Sequence, residues 1–193
     1  DYQPTSGEYL LDGVQKHFNS PHEAIQEGIS IIYQERQILL ELSVAENIYL
    51  GRMPVNKFGI IDIAKANKMA KEIIDDFGLP ISPSTKVKDL SIAYQQLVEI
   101  MKAYSRENLK VICFDEPTAS LSDAEIDSLF EIIAKLKAQG KIIIYVSHRM
   151  AEIQEIADKV AIFKDGHYVD TVVTKEVPEQ QLIKMMVGRD LGD

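Results

Sequence analysis

A chain of 193 residues with 46% hydrophobic content can bury a sizeable core and suits one domain, with room for an inserted subdomain. Its formal net charge of −9 argues against a nucleic-acid surface, because neutralising phosphates takes clustered Lys and Arg, and no basic run occurs. A lone cysteine, Cys113, cannot close an internal disulfide, and no apolar stretch approaches the ~18 residues that span a bilayer, so a soluble protein of a reducing cytosol is expected. No signal peptide opens the chain.

The text starts in mid-phrase at Asp1-Tyr2-Gln3-Pro4, without Met, which suggests an excised fragment. Glu8 to Asp12 reads as a short strand that turns at Gly13. Ser20-Pro21 opens a helix, with Pro at the first helical position where its missing N–H does no harm. Ile29 to Tyr33 is a short β-rich run. From Leu39 to Arg106 strand signals are few and helical ones several. Ala66, Met69, Ala70, Ile73 and Phe77 recur at helical spacing, and Gly78 stands where a C-terminal cap belongs. Pro80 to Asp89 reads as a polar, proline-bearing connection.

The second half changes character. Val111-Ile112-Cys113-Phe114 and Ile142 to Val146 are apolar runs that read as strands buried on both faces. Between them Ile126, Leu129, Phe130, Ile133 and Leu136 mark an amphipathic helix closed by Gly140. Met150, Ile153 and Ile156 mark another helix. Val160 to Phe163, a turn at Asp165-Gly166, and Tyr168 to Val173 read as a hairpin, before a last helix through Leu182 to Met186. Strands alternating with helices predict an α/β fold with a mostly parallel sheet. Residues 39–106 read as a helical insertion into a core made of 1–38 and 107–193.

The most specific chemistry lies at Asp115-Glu116-Pro117-Thr118, where an apolar strand delivers two adjacent carboxylates to its carboxyl end. Phosphoryl transfer needs one carboxylate to hold Mg²⁺, directly or through water, and another to orient the attacking water. Asp115 suits the first role and Glu116 the second. Ser91 precedes a helix, where a hydroxyl and free backbone N–H groups favour a phosphate and where a plain N-cap would also sit. Ser122-Asp123-Ala124-Glu125 fits a capping box, which explains Ser122 and Glu125 better than catalysis does. His148 follows a strand, as does Gln34.

These segments together resemble the ABC ATPases, over essentially the whole chain. Asp115-Glu116-Pro117-Thr118 resembles the Walker B segment, Gln34 the Q-loop glutamine, and Ile144-Tyr145-Val146-Ser147-His148-Arg149 the switch-histidine segment. Leu90-Ser91-Ile92-Ala93-Tyr94-Gln95-Gln96 resembles the signature, with Ile92 and Ala93 in place of two glycines and Tyr94 in place of Gln. Ala119-Ser120-Leu121-Ser122 holds the D-loop position, with Ser122 where Asp is usual. Ser43 to Arg52, Val98-Glu99-Ile100, Ser147 to Met150 and Met185-Met186-Val187-Gly188-Arg189 narrow the resemblance to ATPases of bacterial monosaccharide importers, and there to the first of two tandem ABC domains.

The resemblance implies a P-loop NTPase fold with an inserted helical subdomain, and ATP and Mg²⁺ as ligands. Gln34 and Asp115 would face Mg²⁺, Glu116 would polarise water, His148 would sense the γ-phosphate, and Ser91 would reach the site of a second, head-to-tail ABC unit. It further implies membrane permease subunits as partners, a sugar-binding protein indirectly, no nucleic acid, and a cytoplasmic, peripheral place on the inner face of the cell membrane. No Gly-x-x-x-x-Gly-Lys-Ser/Thr occurs, so the loop that grips phosphates in the family is missing together with its strand and helix. These residues alone are therefore expected to bind ATP very weakly, to hydrolyse it negligibly, and to rearrange or pair through open strand edges. Two rivals stand beside this reading. One is a permease-free ABC protein acting on ribosomes or DNA, which basic arms or coiled coils would reveal; the other is a nucleotide-free interaction fragment.

Overall fold

A computed structural model describes residues 4–35 and 37–187. The opening Asp1-Tyr2-Gln3 and the closing Gly188-Arg189 quoted above lie outside them. The chain first makes a hairpin of β1 (Tyr9–Leu11) and β2 (Val14–Lys16), with Leu11 opposite Val14. Its two turn residues, Asp12 and Gly13, take φ of 53° and 74°, as a tight two-residue hairpin turn demands. The first strand was expected. The second was not, although Asp-Gly between short β-prone runs is its signal.

Helix α1 (Pro21–Gln26) starts where Ser20 accepts a hydrogen bond from the Glu23 N–H and Pro21 sits in the first turn. It leads through Gly28 into β3 (Ile29–Ile32). The middle of the chain then builds α2 (Val44–Ile48), α3 (Ile63–Asp76), a short 3-10 turn at Val87–Asp89, and α4 (Ile92–Tyr104). Ser43 and Glu46 close a capping box on α2. Helix α3 buries Ala66, Ala70 and Ile74 and stops at Gly78, whose φ of 67° suits a residue without Cβ. Both features of α3 follow the expected periodicity.

Strand β4 (Val111–Asp115), α5 (Asp123–Ala138), β5 (Ile142–Val146) and α6 (Met150–Ile156) complete the α/β part. The three strands β3, β4 and β5 form one parallel sheet in that order. β6 (Lys159–Lys164) and β7 (His167–Val173) make the expected antiparallel hairpin, and α7 (Glu179–Val187) follows.

A continuous core runs from the helical stretch into the sheet. Ile48, Ile74, Ile100 and Met101 belong to the same cluster as Ile112, Phe114, Leu129 and Leu136, all fully buried. Each such side chain contributes about 1.5–3 kcal/mol relative to exposure. This core fixes the sheet against α4 and α5, and so places the carboxyl ends of β3, β4 and β5 side by side.

One expectation fails at β5. Ile142, Ile144 and Val146 are 58%, 49% and 47% exposed, while Ile143 and Tyr145 pack inward. β5 ends the sheet, and α5 covers only one of its faces. The run Ile-Ile-Ile-Tyr-Val hides this, because inward and outward sets are equally apolar and no alternation shows.

Candidate nucleotide site

Parallel strands end on a common rim, and three of the expected side chains converge there. Gln34 lies two residues beyond β3 and is exposed; Glu116 directly follows β4; His148 lies two residues beyond β5. Gln34 and Glu116 line one open cleft of about 630 Å³, with Gln95 and Gln96 of α4 and Pro117 and Ser120 of the turn after β4. That volume falls within the range of small-molecule sites. Asp115 is half-buried at the last position of β4, in register with Val146.

The Glu116 carboxylate and the His148 ring meet directly. His148 Nδ1–H donates to Glu116 Oε1 across 2.9 Å, since a carboxylate can only accept. The Glu116 side chain is 21% exposed and that of His148 77% exposed, so the pair joins a shielded carboxylate lining the cleft to a ring open to solvent. Glu116 also carries a φ of 48°, one of three non-glycine residues in the left-handed region among those described. Its N–H donates to Val146 O at 3.0 Å, tying the turn to β5. Left-handed backbone at a non-glycine residue stores about 1–3 kcal/mol and persists only where its surroundings enforce it.

Behind the pair lies a polar cluster. Glu152 of α6 is 5% exposed and Thr118 is 1% exposed. Oε1 of Glu152 accepts from Thr118 Oγ1 at 2.7 Å and Arg149 Nη1 at 2.8 Å. Oε2 accepts from the Tyr145 hydroxyl at 2.9 Å and Ser147 Oγ at 3.1 Å. Burial, joined by the bond to Glu152, pushes the Tyr145 hydroxyl above its ordinary range and keeps it a donor. None of this was anticipated. The signal present in the sequence is a carboxylate next to Ile153 and one turn before Ile156 on a helix whose apolar face must be covered.

Ser91 stands apart from this group. It caps α4 by accepting from the Tyr94 N–H, is exposed, and does not line the cleft. The capping box on α5 has its expected reciprocal arm, in which Glu125 Oε2 accepts from the Ser122 N–H at 2.9 Å and the Ser122 hydroxyl at 2.8 Å. These Ser122 bonds hold Glu125 below the usual carboxylate range, and the Ser91 hydroxyl adds to the effect. The structure therefore brings Gln34 and Glu116 to one cleft and His148 to Glu116, with Asp115 adjoining in sequence, while Asp115, His148 and Ser91 are not among the residues that line the cleft.

Among the described residues no group of three or more His, Cys, Asp or Glu could hold a metal ion. Mg²⁺ keeps several waters and takes one or two oxygen ligands beside substrate phosphates, and the Asp115 carboxylate and Gln34 amide carry donors of that kind. None of the described helices is long and apolar enough to cross a membrane.

Among known proteins, the arabinose import ATP-binding protein AraG of Vibrio parahaemolyticus is 48% identical over 193 residues, covering 100% of this chain and 38% of that protein. AraG of Escherichia coli O6:K15:H31 is 46% identical over 194 residues with the same coverage. The chain thus spans 38% of the length of these curated relatives. In three dimensions it resembles cbiO1 of Clostridium perfringens, part of the ABC transporter complex cbiONQ, with a TM-score of 0.77 at 21% identity over 98% of this chain and 75% of that one. The ADP conformation of MJ1267, an ATP-binding cassette of an ABC transporter, gives a TM-score of 0.76 at 21% identity over 97% of this chain and 79% of that one. These likenesses establish the fold as that of the ABC cassettes. The ABC transporter family model matches residues 1–119, more than half of the chain, and the chain belongs to that family.

Proposed function

We propose that the intact protein carrying this chain is the ATP-hydrolysing subunit of a monosaccharide importer. The observation that carries this reading is the Glu116–His148 hydrogen bond at the rim of a cleft that Gln34 also lines. Similarity to arabinose import proteins over the whole chain points to a pentose or related sugar as cargo.

The residues divide the work by their chemistry. Glu116, partly shielded, accepts a hydrogen bond from a water and orients it for attack on a terminal phosphate. His148 holds Glu116 in place through Nδ1–H and leaves Nε2 to face the same water or phosphate. Asp115 and Gln34 would hold Mg²⁺, directly or through water, where it would supply positive charge beside the nucleotide phosphates. Since the chain carries no Gly-rich Lys-bearing loop, these residues alone supply water activation without the main phosphate grip.

Ser91, exposed at the start of its helix and not lining the cleft, is assigned to the contact with a second ABC unit rather than to the site of its own chain. Permease subunits in the membrane receive the conformational change, a sugar-binding protein selects the cargo, and the chain sits on the cytoplasmic face. The net charge of −9 disfavours a ribosome- or DNA-bound role.

Glu116→Gln in the intact protein tests the assignment. It keeps the shape and removes the acceptor for the water proton, so steady-state ATP hydrolysis should fall by about 10²-fold or more while nucleotide remains bound. Undiminished hydrolysis would remove Glu116 from this role.

A further inference from the structure

A buried carboxylate is costly unless every lone pair is met, and an apolar side chain of similar volume would usually cover the same ground at less expense. Glu152 is 5% exposed, and its two oxygens take two side-chain donors each. Those donors are not scattered. Thr118 lies two residues after Glu116, Tyr145 and Ser147 flank the end of β5, and Arg149 directly follows His148. One carboxylate therefore joins the turn that carries Glu116, through Thr118, to the turn that carries His148, through Ser147 and Arg149 on either side of the histidine. Ser147 Oγ also accepts from the Arg149 N–H at 3.0 Å, which closes the His148 turn upon the same cluster.

We propose that Glu152 is a positioning residue, a clamp that sets the separation between Glu116 and His148. Its part in catalysis rests on the function proposed above; its effect on the geometry of the pair does not. Without the clamp, the ties left between the two turns among the described residues are the Glu116 N–H to Val146 O bond, the exposed Glu116–His148 contact and the side-chain interaction of Thr118 with Tyr145. Glutamine at position 152 offers one acceptor oxygen and places an amide N–H₂ where two donors now point, so the turns must part.

Two readouts on the intact protein test this. The first is the tautomer of the neutral His148 ring, read from its ¹⁵N shifts after selective histidine labelling and assigned with His148→Ala. In the native protein Glu116 holds the proton on Nδ1. In Glu152→Gln the ring should shift toward the Nε2–H form that an unconstrained histidine side chain prefers. Thr118→Val, which keeps its shape and removes one tie, should move the shifts the same way by less, and serves alone if Glu152→Gln fails to fold.

The second readout is turnover, where Glu152→Gln should lower kcat by about 10- to 100-fold with KM for ATP changed less than about threefold, as expected for a misplacement on the order of 1 Å. Unchanged His148 ring shifts in both variants would overturn the proposal, whatever happens to kcat. Shifted rings in a protein whose wild type does not hydrolyse ATP would uphold the clamp and sink the functional reading alone.

Discussion

Gly28 gives the sharpest test of how the site is held. It sits at the corner between α1 and β3 with φ of 96°, and a Cβ there would lie 2.1 Å from the backbone oxygen of Asn108. Its own carbonyl accepts from the N–H groups of Lys110 and Val111 at 2.8 and 3.0 Å, the bonds that start the pairing of β3 with β4. In Gly28→Ala the Asn108 carbonyl must retreat by about 1.3 Å or more to reach ordinary contact. The residue also meets the ~1–2 kcal/mol penalty of left-handed backbone, and straining the two carbonyl bonds forfeits about 1 kcal/mol each.

The sum is about 3–4 kcal/mol, a large share of the ~5–15 kcal/mol that holds a domain together. Denaturant unfolding of the intact protein measures it, with Gly140→Ala as the control. Gly140 also has a positive φ, 78°, but open space around its Cβ position, so that change should cost only the backbone penalty of ~1–2 kcal/mol. Equal losses at the two glycines would refute the steric argument. β3 carries Gln34 to the rim, so hydrogen exchange on β3 should quicken in Gly28→Ala as well.

Two further outcomes follow from contacts away from the rim. The Arg52 guanidinium donates to Ile48 O at the end of α2 and to Lys102 O and Ser105 O at the end of α4, and stacks 5.4 Å from the Tyr49 ring centroid. Arg52→Met keeps the aliphatic packing and strips these carbonyls of a charged donor, so unfolding free energy should drop by about 2–3 kcal/mol by chemical denaturation. Asp76, at the end of α3, accepts from Lys135 at 2.6 Å and from the Tyr104 hydroxyl at 2.9 Å, and Lys135 foremost holds its carboxyl below the ordinary 3.8. A lowered folded-state value means the stabilisation is whole above pH 3.8 and disappears as pH falls through the folded value. At 39% side-chain exposure it is under about 1 kcal/mol. Asp76→Asn should be slightly less stable than wild type at pH 7 and equal to it near pH 2, as thermal melts across that range would read.

The elements whose residues have a single physical reading were legible in the sequence. Ala66 to Phe77 with Gly78 gives one helix and one stop, and Asp165-Gly166 between β-prone runs gives one hairpin. The adjacent acids after Val111 to Phe114 located the rim. Legibility failed where two environments favour the same residue type. Ile142, Ile144 and Val146 are apolar yet face water, because an edge position is decided by neighbours distant in sequence. Glu152 was missed for the opposite reason, since its burial depends on four donors from three segments, and a single glutamate in a short helix reads as solvated surface. Ser91 was legible as a cap, and the cap is what the structure contains.

The left-handed step at Glu116 has a wider consequence. On a regular strand, neighbouring residues look toward opposite sides, so an acid directly after Asp115 would ordinarily turn away from it. The main chain, rather than a choice of rotamer, redirects Glu116 toward the cleft, at φ of 48° where glycine would rest more easily. Folding and chemistry thus ask for different amino acids at this one position. On the function proposed above, the most stable sequence for this backbone is not the working one, and relieving the strain at Glu116 to toughen the protein would remove the proposed base.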